Sequence, residues 1–250
     1  MTNTVDTIGT RRIAMLIDGD NAQPSLIDKM LAETSKYGLI TIRRIYGDWT
    51  ASNMSGWKDV LQTYAIQPIQ QFRYTIGKNA TDSAMIIDAM DTLYTGGVDG
   101  FCLVSSDSDY TRLATRIREK GFFVMGIGKK ITPRAFVNAC DVFVYTQNLV
   151  PEESGAKSAE KKKATGAPEA AAPDPLPLLK SAFDLAVQDD GWAFLGTLGH
   201  HLRQLDPGFD SRTYGYKQLS MLIRAHPKTF SVKDAKSLDG TSVIYVKLKE

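Results

Sequence analysis

The chain has 250 residues, of which 43% are apolar, and its 30 basic and 28 acidic residues leave a net charge of +2. This length can bury one large core or a medium and a small one, and the balanced charge does not by itself indicate a nucleic-acid partner. Because no apolar run is long enough to cross a bilayer and the N-terminal residues lack the apolar segment of a signal peptide, we expect a cytoplasmic protein that does not bind membranes.

Residues 13 to 145 alternate short runs of β-branched and other apolar residues with longer segments of helical periodicity. This alternation is typical of a parallel sheet covered by helices on both faces, so the predicted fold class is α/β, with three α/β/α layers. The runs that we interpret as strands are IAMLI (13–17), LITIRRIY (39–46), IQPIQ (66–70), GFCLVS (100–105), FFVMGI (122–127) and VFVY (142–145).

Helix signals fill the gaps between these strands. Three of the four helical segments open at a residue that favours a helix start, and the same three are followed by glycine, which favours a helix end. The predicted helices run from Pro24 to Tyr37 with Gly38 as the C-cap, from Trp57 to Tyr64, from Asp82 to Gly96-Gly97, and from a cap at Ser108 or Asp109 to Gly121.

The two cysteines, Cys102 and Cys140, lie within apolar segments. Neither has the CxxC spacing or the nearby histidine of a zinc site. We therefore expect two buried free thiols rather than a disulfide or a metal site.

Residues 151 to about 175 contain no large apolar residue and are dominated by Ala, Pro, Glu, Lys and Gly. Such a segment cannot form a core, so we interpret it as a linker that its prolines partly extend. The run Lys161-Lys162-Lys163 within it is either a solvated spacer or a weak contact to phosphate.

The segment that follows the linker has the pattern of a small separate domain. It contains three predicted helices, at 178–187, 197–205 and about 214–225. Two predicted strands, TFSV and SVIYVKL, come next and are separated by a turn at Asp239-Gly240. Three helices closed by a β-hairpin describe a winged-helix domain.

Carboxylates stand at three predicted junctions between strands and helices. Asp18-Gly19-Asp20-Asn21 follows the first strand, Asp107-Ser108-Asp109 follows the fourth, and Asp82 opens the third helix. A lone Asp at such a junction is usually a cap or turn residue, but three junctions at one sheet edge would bring like charges together, which favours a bound cation. Oxygen ligands without Cys or His suit Mg²⁺ or Mn²⁺, which can activate water for phosphodiester hydrolysis.

Three segments resemble the signature regions of NYN domains, the PIN-like ribonucleases, in order and approximate spacing. They are IDGDN (17–21), KNATDSAMIIDAM (78–90) and SSDSDYTRLATRIREKG (105–121), and the resemblance covers residues 11 to 148. It implies a metal-dependent ribonuclease in which Asp18, Asp82 and Asp107 bind the metal. It also implies that Asn21 and Asp109 assist them.

Four other residues are weaker candidates for this site. Asp20 lies between two stronger candidates, whereas Asp88 lies six residues beyond Asp82, about 600° around a helix, so that these two side chains point to different faces. Lys78 and Arg134 are candidate contacts to RNA phosphate, although a single basic residue on a loop is more often only solvated.

The stretch FDSRTYGYKQLSMLIRAHPKTFSV resembles LOTUS, or OST-HTH, domains, a winged-helix family associated with RNA. The resemblance covers residues 176 to 249 and places a helix start at Tyr214-Gly215-Tyr216. We expect Leu219, Leu222 and Ile223 to pack in the core. Aromatic rings stack on bases and cations meet phosphate, so the candidate RNA contacts are Arg212, Tyr214, Tyr216 and Lys217. For Tyr216, packing against the wing is an equal alternative.

These features favour one function over two alternatives. We expect a nuclease domain at 11–148, a flexible linker at 149–175 and a winged-helix domain at 176–250. The predicted function is metal-dependent endonucleolytic cleavage of RNA, with a C-terminal domain that binds RNA or a protein partner. One alternative is a non-catalytic RNA-binding adaptor. The other is a phosphatase of the haloacid-dehalogenase type, a family that also places Asp-x-Asp after a strand. This chain differs from that family at Asn21-Ala22, and we find no later lysine motif in it.

Overall fold

The structure of the chain is a computed structural model that describes residues 11–72, 80–150, 173–236 and 242–249. Several predicted features lie outside these residues, namely Lys78, the Lys161-Lys162-Lys163 run and the Asp239-Gly240 turn. The chain divides into two compact units, an N-terminal unit of residues 1–149 and a C-terminal unit of residues 150–250. Within the described ranges, no helix combines the length and apolar character needed to cross a bilayer.

The N-terminal unit is built on a six-stranded sheet in which every neighbouring pair of strands is parallel. The strand order is β3-β2-β1-β4-β5-β6, and all six predicted strands are present. They are β1 (Arg12–Asp18), β2 (Leu39–Gly47), β3 (Gln67–Gln70), β4 (Gly100–Val104), β5 (Phe123–Gly128) and β6 (Val142–Tyr145). The predicted α/β fold class is therefore confirmed.

Helices connect these strands and cover both faces of the sheet. They are α1 (Ile27–Ser35), α2 (Lys58–Thr63), α3 (Ala80–Thr95), α4 (Thr111–Glu119) and α5 (Arg134–Ala139). Short 3-10 turns precede three of them, at Pro24–Leu26, Ser52–Trp57 and Ser108–Tyr110, and another follows β6 at Thr146–Leu149.

Two predicted helix caps are wrong. Helix α1 ends at Ser35, and its C-cap is Lys36 rather than Gly38. Gly38 instead lies against the backbone of Arg11, where a Cβ atom would collide with the carbonyl group. Before α4, Asp107 rather than Ser108 or Asp109 is the capping residue, because its carboxylate accepts the backbone N–H of Asp109.

Two apolar layers hold the helices on the sheet, one on each face, and β1 contributes to both. Ala14 and Leu16 pack with the apolar sides of α3, α4 and α5. Ile13, Met15 and Ile17 point the other way and pack with α1 and the residues around α2. All five residues are fully buried, as expected for a central strand of a parallel sheet. The carboxyl end of β1 is thus held rigidly in place.

Both cysteines are buried free thiols, as predicted. Burial raises the pKa of the Cys102 thiol to about 12, and a contact of 3.4 Å with the Thr34 hydroxyl partly opposes this. Burial also raises the pKa of the Cys140 thiol. Neither sulfur is therefore a reactive thiolate at neutral pH.

Close packing around Gly126 in β5 makes this position a sharp test of the N-terminal core. A Cβ atom there would lie 2.9 Å from Cys140 Sγ and closer still to the Phe143 ring. We expect Gly126→Ala to lower the free energy of unfolding by about 1–3 kcal/mol, because the buried ring and sulfur must shift. The measurement is urea unfolding, followed through the transition of the N-terminal unit.

Gly56→Ala is the matched control for this change. A Cβ atom at Gly56 would meet its nearest neighbour, Pro24 Cγ, at an ordinary distance of 3.5 Å. The control should therefore unfold at the wild-type urea concentration or slightly above it. Equal midpoints for Gly126→Ala and the wild type would contradict the packing described here.

In its described residues, the C-terminal unit contains three α-helices and a small antiparallel sheet. The helices are α6 (Leu176–Ala186), α7 (Leu195–Leu205) and α8 (Leu219–Arg224), with a 3-10 segment at Ser211–Tyr214. The sheet has the strand order β7-β9-β8, from β7 (Ala193–Phe194), β8 (Phe230–Lys236) and β9 (Ser242–Leu248). The two predicted strands are present, and the short strand β7 was not predicted.

The helix predicted from about Tyr214 begins five residues later, at Leu219. The 3-10 segment that contains Tyr214 is closed by Gly215, which has a left-handed backbone conformation with φ of 81°. Such a residue ends a helical segment rather than continuing it. The predicted core position of Leu222 and Ile223 is confirmed, since both are fully buried, and Leu219 packs against them while partly exposed.

Candidate functional site

The carboxyl ends of β1 and β4 meet at the point where the strand order of the sheet reverses. From β1 the chain continues to β2 on one side, whereas from β4 it continues to β5 on the other. The register pairs Ile17 of β1 with Val104 of β4, so Asp18 and Ser105 leave the sheet side by side. Ligands of open parallel sheets bind in the crevice at this kind of switch point.

Asp18 ends β1 as a buried carboxylate, 1% exposed, that is surrounded by hydrogen-bond donors. Its Oδ2 atom accepts from the Ser105 hydroxyl at 2.8 Å and from Asn21 Nδ2 at 2.6 Å, and its Oδ1 atom accepts from the Asp20 N–H at 3.1 Å. Burial raises the pKa of Asp18, the bonds from Asn21 and Ser105 oppose this, and the charges of Asp82 and Asp20 raise the pKa further. Asp18 is thus held in one orientation.

Asp82 lies in the first turn of α3 and is oriented by a tyrosine from another element. The hydroxyl group of Tyr110 donates to Asp82 Oδ1 at 2.7 Å, and the Tyr110 side chain is fully buried. Burial raises the pKa of this phenol, so it remains a donor at neutral pH. Burial also raises the pKa of Asp82, and the charges of Asp107, Asp109 and Asp20 add to this, against the bond from Tyr110.

Asp107 follows β4 and is fixed by the turn that it caps. Its Oδ1 atom accepts the Asp109 N–H at 2.9 Å, and its own N–H donates to the Ser105 hydroxyl oxygen at 3.1 Å. Because the same hydroxyl donates to the Asp18 carboxylate, Ser105 links that carboxylate to the backbone of Asp107.

Three carboxylates converge at this edge of the sheet. One oxygen atom each from Asp82, Asp107 and Asp109 lies within 4.8 Å of the others. Asp82 and Asp107 are half-buried and Asp109 is exposed, so the group faces solvent on one side. Asp18 is a neighbouring carboxyl group but is not one of these three. All three ligand atoms are carboxylate oxygens, which is the donor set of a hard divalent cation such as Mg²⁺ or Mn²⁺.

The remaining candidates of this unit differ in their surroundings. Asn21 binds Asp18, and Asp20 accepts a hydrogen bond from Asn53 at 3.1 Å. Arg134 is an exposed residue that opens α5, the helix after β5. Asp88 is held apart, because its Oδ2 atom accepts from the Tyr46 hydroxyl at 2.9 Å and from Arg44 at 3.3 Å.

The structure assigns different surroundings to the four candidate RNA contacts of the C-terminal unit. Arg212 forms an ion pair with Asp210, with a closest distance of 2.6 Å. Tyr214 and Tyr216 are half-buried and pack against the core of the unit. Lys217 is exposed in the loop before α8. Two of the four side chains therefore contribute to packing and one is paired with a carboxylate.

Two residues of the site, Ser105 and Tyr110, were not identified from the sequence. Ser105 carries a weak signal, because it is a polar residue directly after a buried strand. Tyr110 carries none, since its partner Asp82 is 28 residues away and the contact depends on how α3 packs beside the turn before α4.

Comparisons with known proteins agree with this architecture. The NYN domain family model matches residues 12–149, and the OST-HTH/LOTUS domain model matches residues 168–237. An uncharacterized protein of Methanocaldococcus jannaschii, MJ0482, is 31% identical over 124 residues. That match covers 48% of this chain and 48% of the relative, so the chain spans about half the length of this relative.

Two solved structures are also similar. A protein of unknown function from Vibrio parahaemolyticus, VPA0982, has 18% identity and a TM-score of 0.46, over 54% of this chain and 93% of its own. An uncharacterized protein of Nitrosomonas europaea, NE0665, has 35% identity and a TM-score of 0.29, over 38% of this chain and 90% of its own.

The NYN match extends over more than half of the chain and includes every residue of the acidic group. It argues against a haloacid-dehalogenase phosphatase, which would use the first Asp as a nucleophile, whereas Asp18 is buried and hydrogen-bonded on both oxygens. The chain belongs to the NYN domain family, a family of PIN-like ribonucleases, and carries a C-terminal OST-HTH/LOTUS domain.

Proposed function

We propose that the chain is a metal-dependent endoribonuclease that hydrolyses phosphodiester bonds at the acidic edge of its NYN domain. The observation that carries this proposal is the convergence of Asp82, Asp107 and Asp109 within 4.8 Å at the switch point of the sheet. Three carboxylates so close together repel one another, and a divalent cation relieves that repulsion.

In this proposal, Mg²⁺ or Mn²⁺ is held by Asp82, Asp107 and Asp109. When bound, such an ion lowers the pKa of water and offsets charge on the phosphate oxygens. Asp18, which the sequence suggests as a direct ligand, lies beside the group and adds negative charge that attracts the cation. Asp18 is buried and accepts a hydrogen bond from Ser105, which in turn accepts the backbone N–H of Asp107. These contacts favour a role for Asp18 in positioning Asp107.

The open side of the group is where RNA would enter. Asp109 is exposed, so a phosphate can approach from solvent without a rearrangement of the core. Arg134 lies on the helix that follows β5, and we propose it as a contact to the RNA backbone. Lys78, which lies outside the described residues, has the same proposed role.

Tyr110→Phe tests whether metal binding depends on the hydrogen bond that orients Asp82. The change removes the hydroxyl that donates to Asp82 at 2.7 Å and leaves the buried ring in place. We expect the affinity for Mn²⁺ to fall by about 10- to 100-fold, the usual cost of losing a group that orients a metal ligand. Isothermal titration calorimetry with Mn²⁺, on the protein without RNA, measures this affinity.

Tyr46→Phe is the matched control, because Tyr46 is also buried and also donates to an aspartate, Asp88, which lies outside the acidic group. Its Mn²⁺ affinity should equal that of the wild type. An unchanged affinity in Tyr110→Phe would show that Asp82 needs no orienting group or is not a ligand.

We further propose that the C-terminal domain selects or recruits the RNA. The proposed boundaries are 11–148 for the nuclease domain, 149–175 for the linker and 176–250 for the C-terminal domain. A covalent tether between the two domains raises the local concentration of bound RNA near the acidic site without any new contact. A protein partner of the same domain would act in the same way, by bringing its RNA with it.

The deciding experiment measures hydrolysis of single-stranded RNA, structured RNA and a small phosphomonoester, each with Mg²⁺, with Mn²⁺ and with a chelator. The proposal predicts that RNA is cleaved at internal positions and only when metal is present. It also predicts that no phosphate is released from the monoester. RNA binding without cleavage under every condition would instead support the non-catalytic adaptor.

A further inference from the structure

The outward face of the C-terminal sheet carries a row of side chains that crosses all three strands. Tyr245 of β9 pairs directly with Phe194 of β7 on one side and with Lys233 of β8 on the other. Residues that are directly opposite in a sheet project to the same face. The three side chains therefore form one continuous row.

Burial of the neighbouring residues shows that this row faces away from the core. Ala193 and Val246, each next in sequence to a member of the row, are fully buried. Since side chains alternate between faces along a strand, Phe194 and Tyr245 project outward. Phe194 is 38% exposed, so part of its ring is accessible to a partner.

The rings on this face are held in place rather than left loose. The Phe194 and Tyr245 ring centroids are 6.0 Å apart, and the Lys233 ammonium lies 5.9 Å from the centroid of the Trp192 ring. Gly196 allows the Phe194 ring to lie over the start of α7, because a Cβ atom there would be 2.5 Å from the ring. Preorganised rings lose little entropy when they bind a flat partner.

Two lysines contribute positive charge to this face. Lys233 and Lys247 are both exposed on it, and Lys247 lies next to the turn residue Gly191. The adjacent carboxylate of Asp234 is paired with Arg224 at 2.7 Å, and Asp190 accepts the backbone N–H of Trp192. Both lysine side chains are exposed, so they can contact an anion.

We propose that this face, formed by Trp192, Phe194, Lys233, Tyr245 and Lys247 and called here the sheet platform, binds single-stranded RNA. Bases would stack on its aromatic rings, and its lysines would contact the phosphates between them. Only a single strand offers exposed base faces, whereas a duplex hides them. This inference rests on the proposed function in one respect, namely that the ligand is RNA.

The sheet platform is distinct from the contact surface suggested by the sequence. Arg212 is paired with Asp210, and Tyr214 and Tyr216 pack partly against the core of the unit. The platform instead presents rings and cations on one face of a sheet, with the strand spacing that separates successive side chains by about 5 Å.

The test measures binding of a short single-stranded RNA of mixed sequence, and of the duplex of that sequence, to the full chain in the presence of a chelator. Under these conditions binding does not depend on cleavage. We expect Tyr245→Val, which keeps a β-branched residue on the strand, to weaken single-strand binding by roughly 5- to 100-fold. The duplex should bind the wild type more weakly than the single strand.

The lysines are tested through the salt dependence of the same binding. Lys233→Gln should lower the slope of log affinity against log salt by about 0.7, the value for one phosphate contact to a single strand. Lys180→Gln is the matched control, because Lys180 is an exposed lysine on α6 of the same unit and lies outside the platform. Its slope should equal that of the wild type.

Wild-type single-strand affinity in folded Tyr245→Val would overturn the proposal. If that variant does not fold, an unchanged salt slope in Lys233→Gln, whose side chain is exposed, would overturn it instead. These results are separable from the proposed nuclease activity. A chain that cleaves nothing but loses RNA on Tyr245→Val supports the platform alone, and a metal-dependent nuclease with unchanged Tyr245→Val binding refutes the platform alone.

Discussion

Asp107→Asn is expected to reduce RNA cleavage by about a hundredfold or more and to leave the fold intact. A metal ion supplies several kcal/mol of transition-state stabilisation, and each 1.4 kcal/mol corresponds to about a tenfold change in rate. The substitution removes one of three converging charges without a change of shape. Asn can still accept the Asp109 N–H, so the turn before α4 keeps its cap. Initial rates of cleavage at saturating metal measure the effect.

A thermal unfolding experiment separates loss of metal from loss of fold. A ligand at a hundredfold excess over its Kd stabilises the folded state by about 2.7 kcal/mol, so Mn²⁺ should raise the Tm of the wild type and have much less effect on Asp107→Asn. Without metal the variant should be at least as stable as the wild type, because one source of repulsion is gone.

Asp91→Asn is the control for this substitution. Asp91 is an exposed aspartate on α3, the same helix that carries Asp82, but it lies outside the acidic group. Its cleavage rate and its response to Mn²⁺ should match those of the wild type. If Asp107→Asn retains activity within about threefold of the wild type, Asp107 does not hold a catalytic metal.

Removal of divalent metal by a chelator is expected to abolish RNA cleavage completely, and an excess of Mg²⁺ or Mn²⁺ should restore it. The reason lies in the composition of the NYN domain as well as in its geometry. The three histidines of the chain are His200, His201 and His226, all in the C-terminal unit, so residues 1–149 contain none. The acidic site therefore lacks the usual side chain for acid–base cleavage of RNA without a metal.

The chelator experiment needs a control for contaminating ribonucleases, which often work without metal. Asp107→Asn, purified in the same way, provides it, because any activity shared by both proteins is not due to the acidic site. Cleavage by the wild type that continues in chelator, and that exceeds the activity of the variant, would exclude the proposed metal-dependent mechanism.

Much of the N-terminal fold could be predicted because its signals are local. Each strand is an apolar run bounded by polar or glycine-containing segments, and burial on both faces makes such runs easy to recognise. The same locality predicts the acidic edge, because Asp18 follows a strand directly and Asp107 follows another after two serines. Parallel strands bring their carboxyl ends to one edge whatever the details of packing.

Which of these carboxylates lie together is not a local property of the sequence, and the tertiary structure decided it. Asp109 joins Asp82 and Asp107 because the turn capped by Asp107 directs it there, while Asp18 is drawn into a network with Ser105 and Asn21. No spacing along the chain contains that information. The contact depends on distances between strands and helices that are far apart in sequence.

The C-terminal unit shows the same division. Its helices and the strands of its hairpin follow from apolar periodicity, and the core positions of Leu222 and Ile223 were predicted correctly. From the sequence alone, Tyr214 and Tyr216 were candidate RNA contacts, with packing against the wing as the alternative for Tyr216. The tertiary structure decided that both rings pack partly against the core and that Tyr245 pairs with Phe194 on the outward face of the sheet, since these arrangements depend on contacts between residues far apart in sequence.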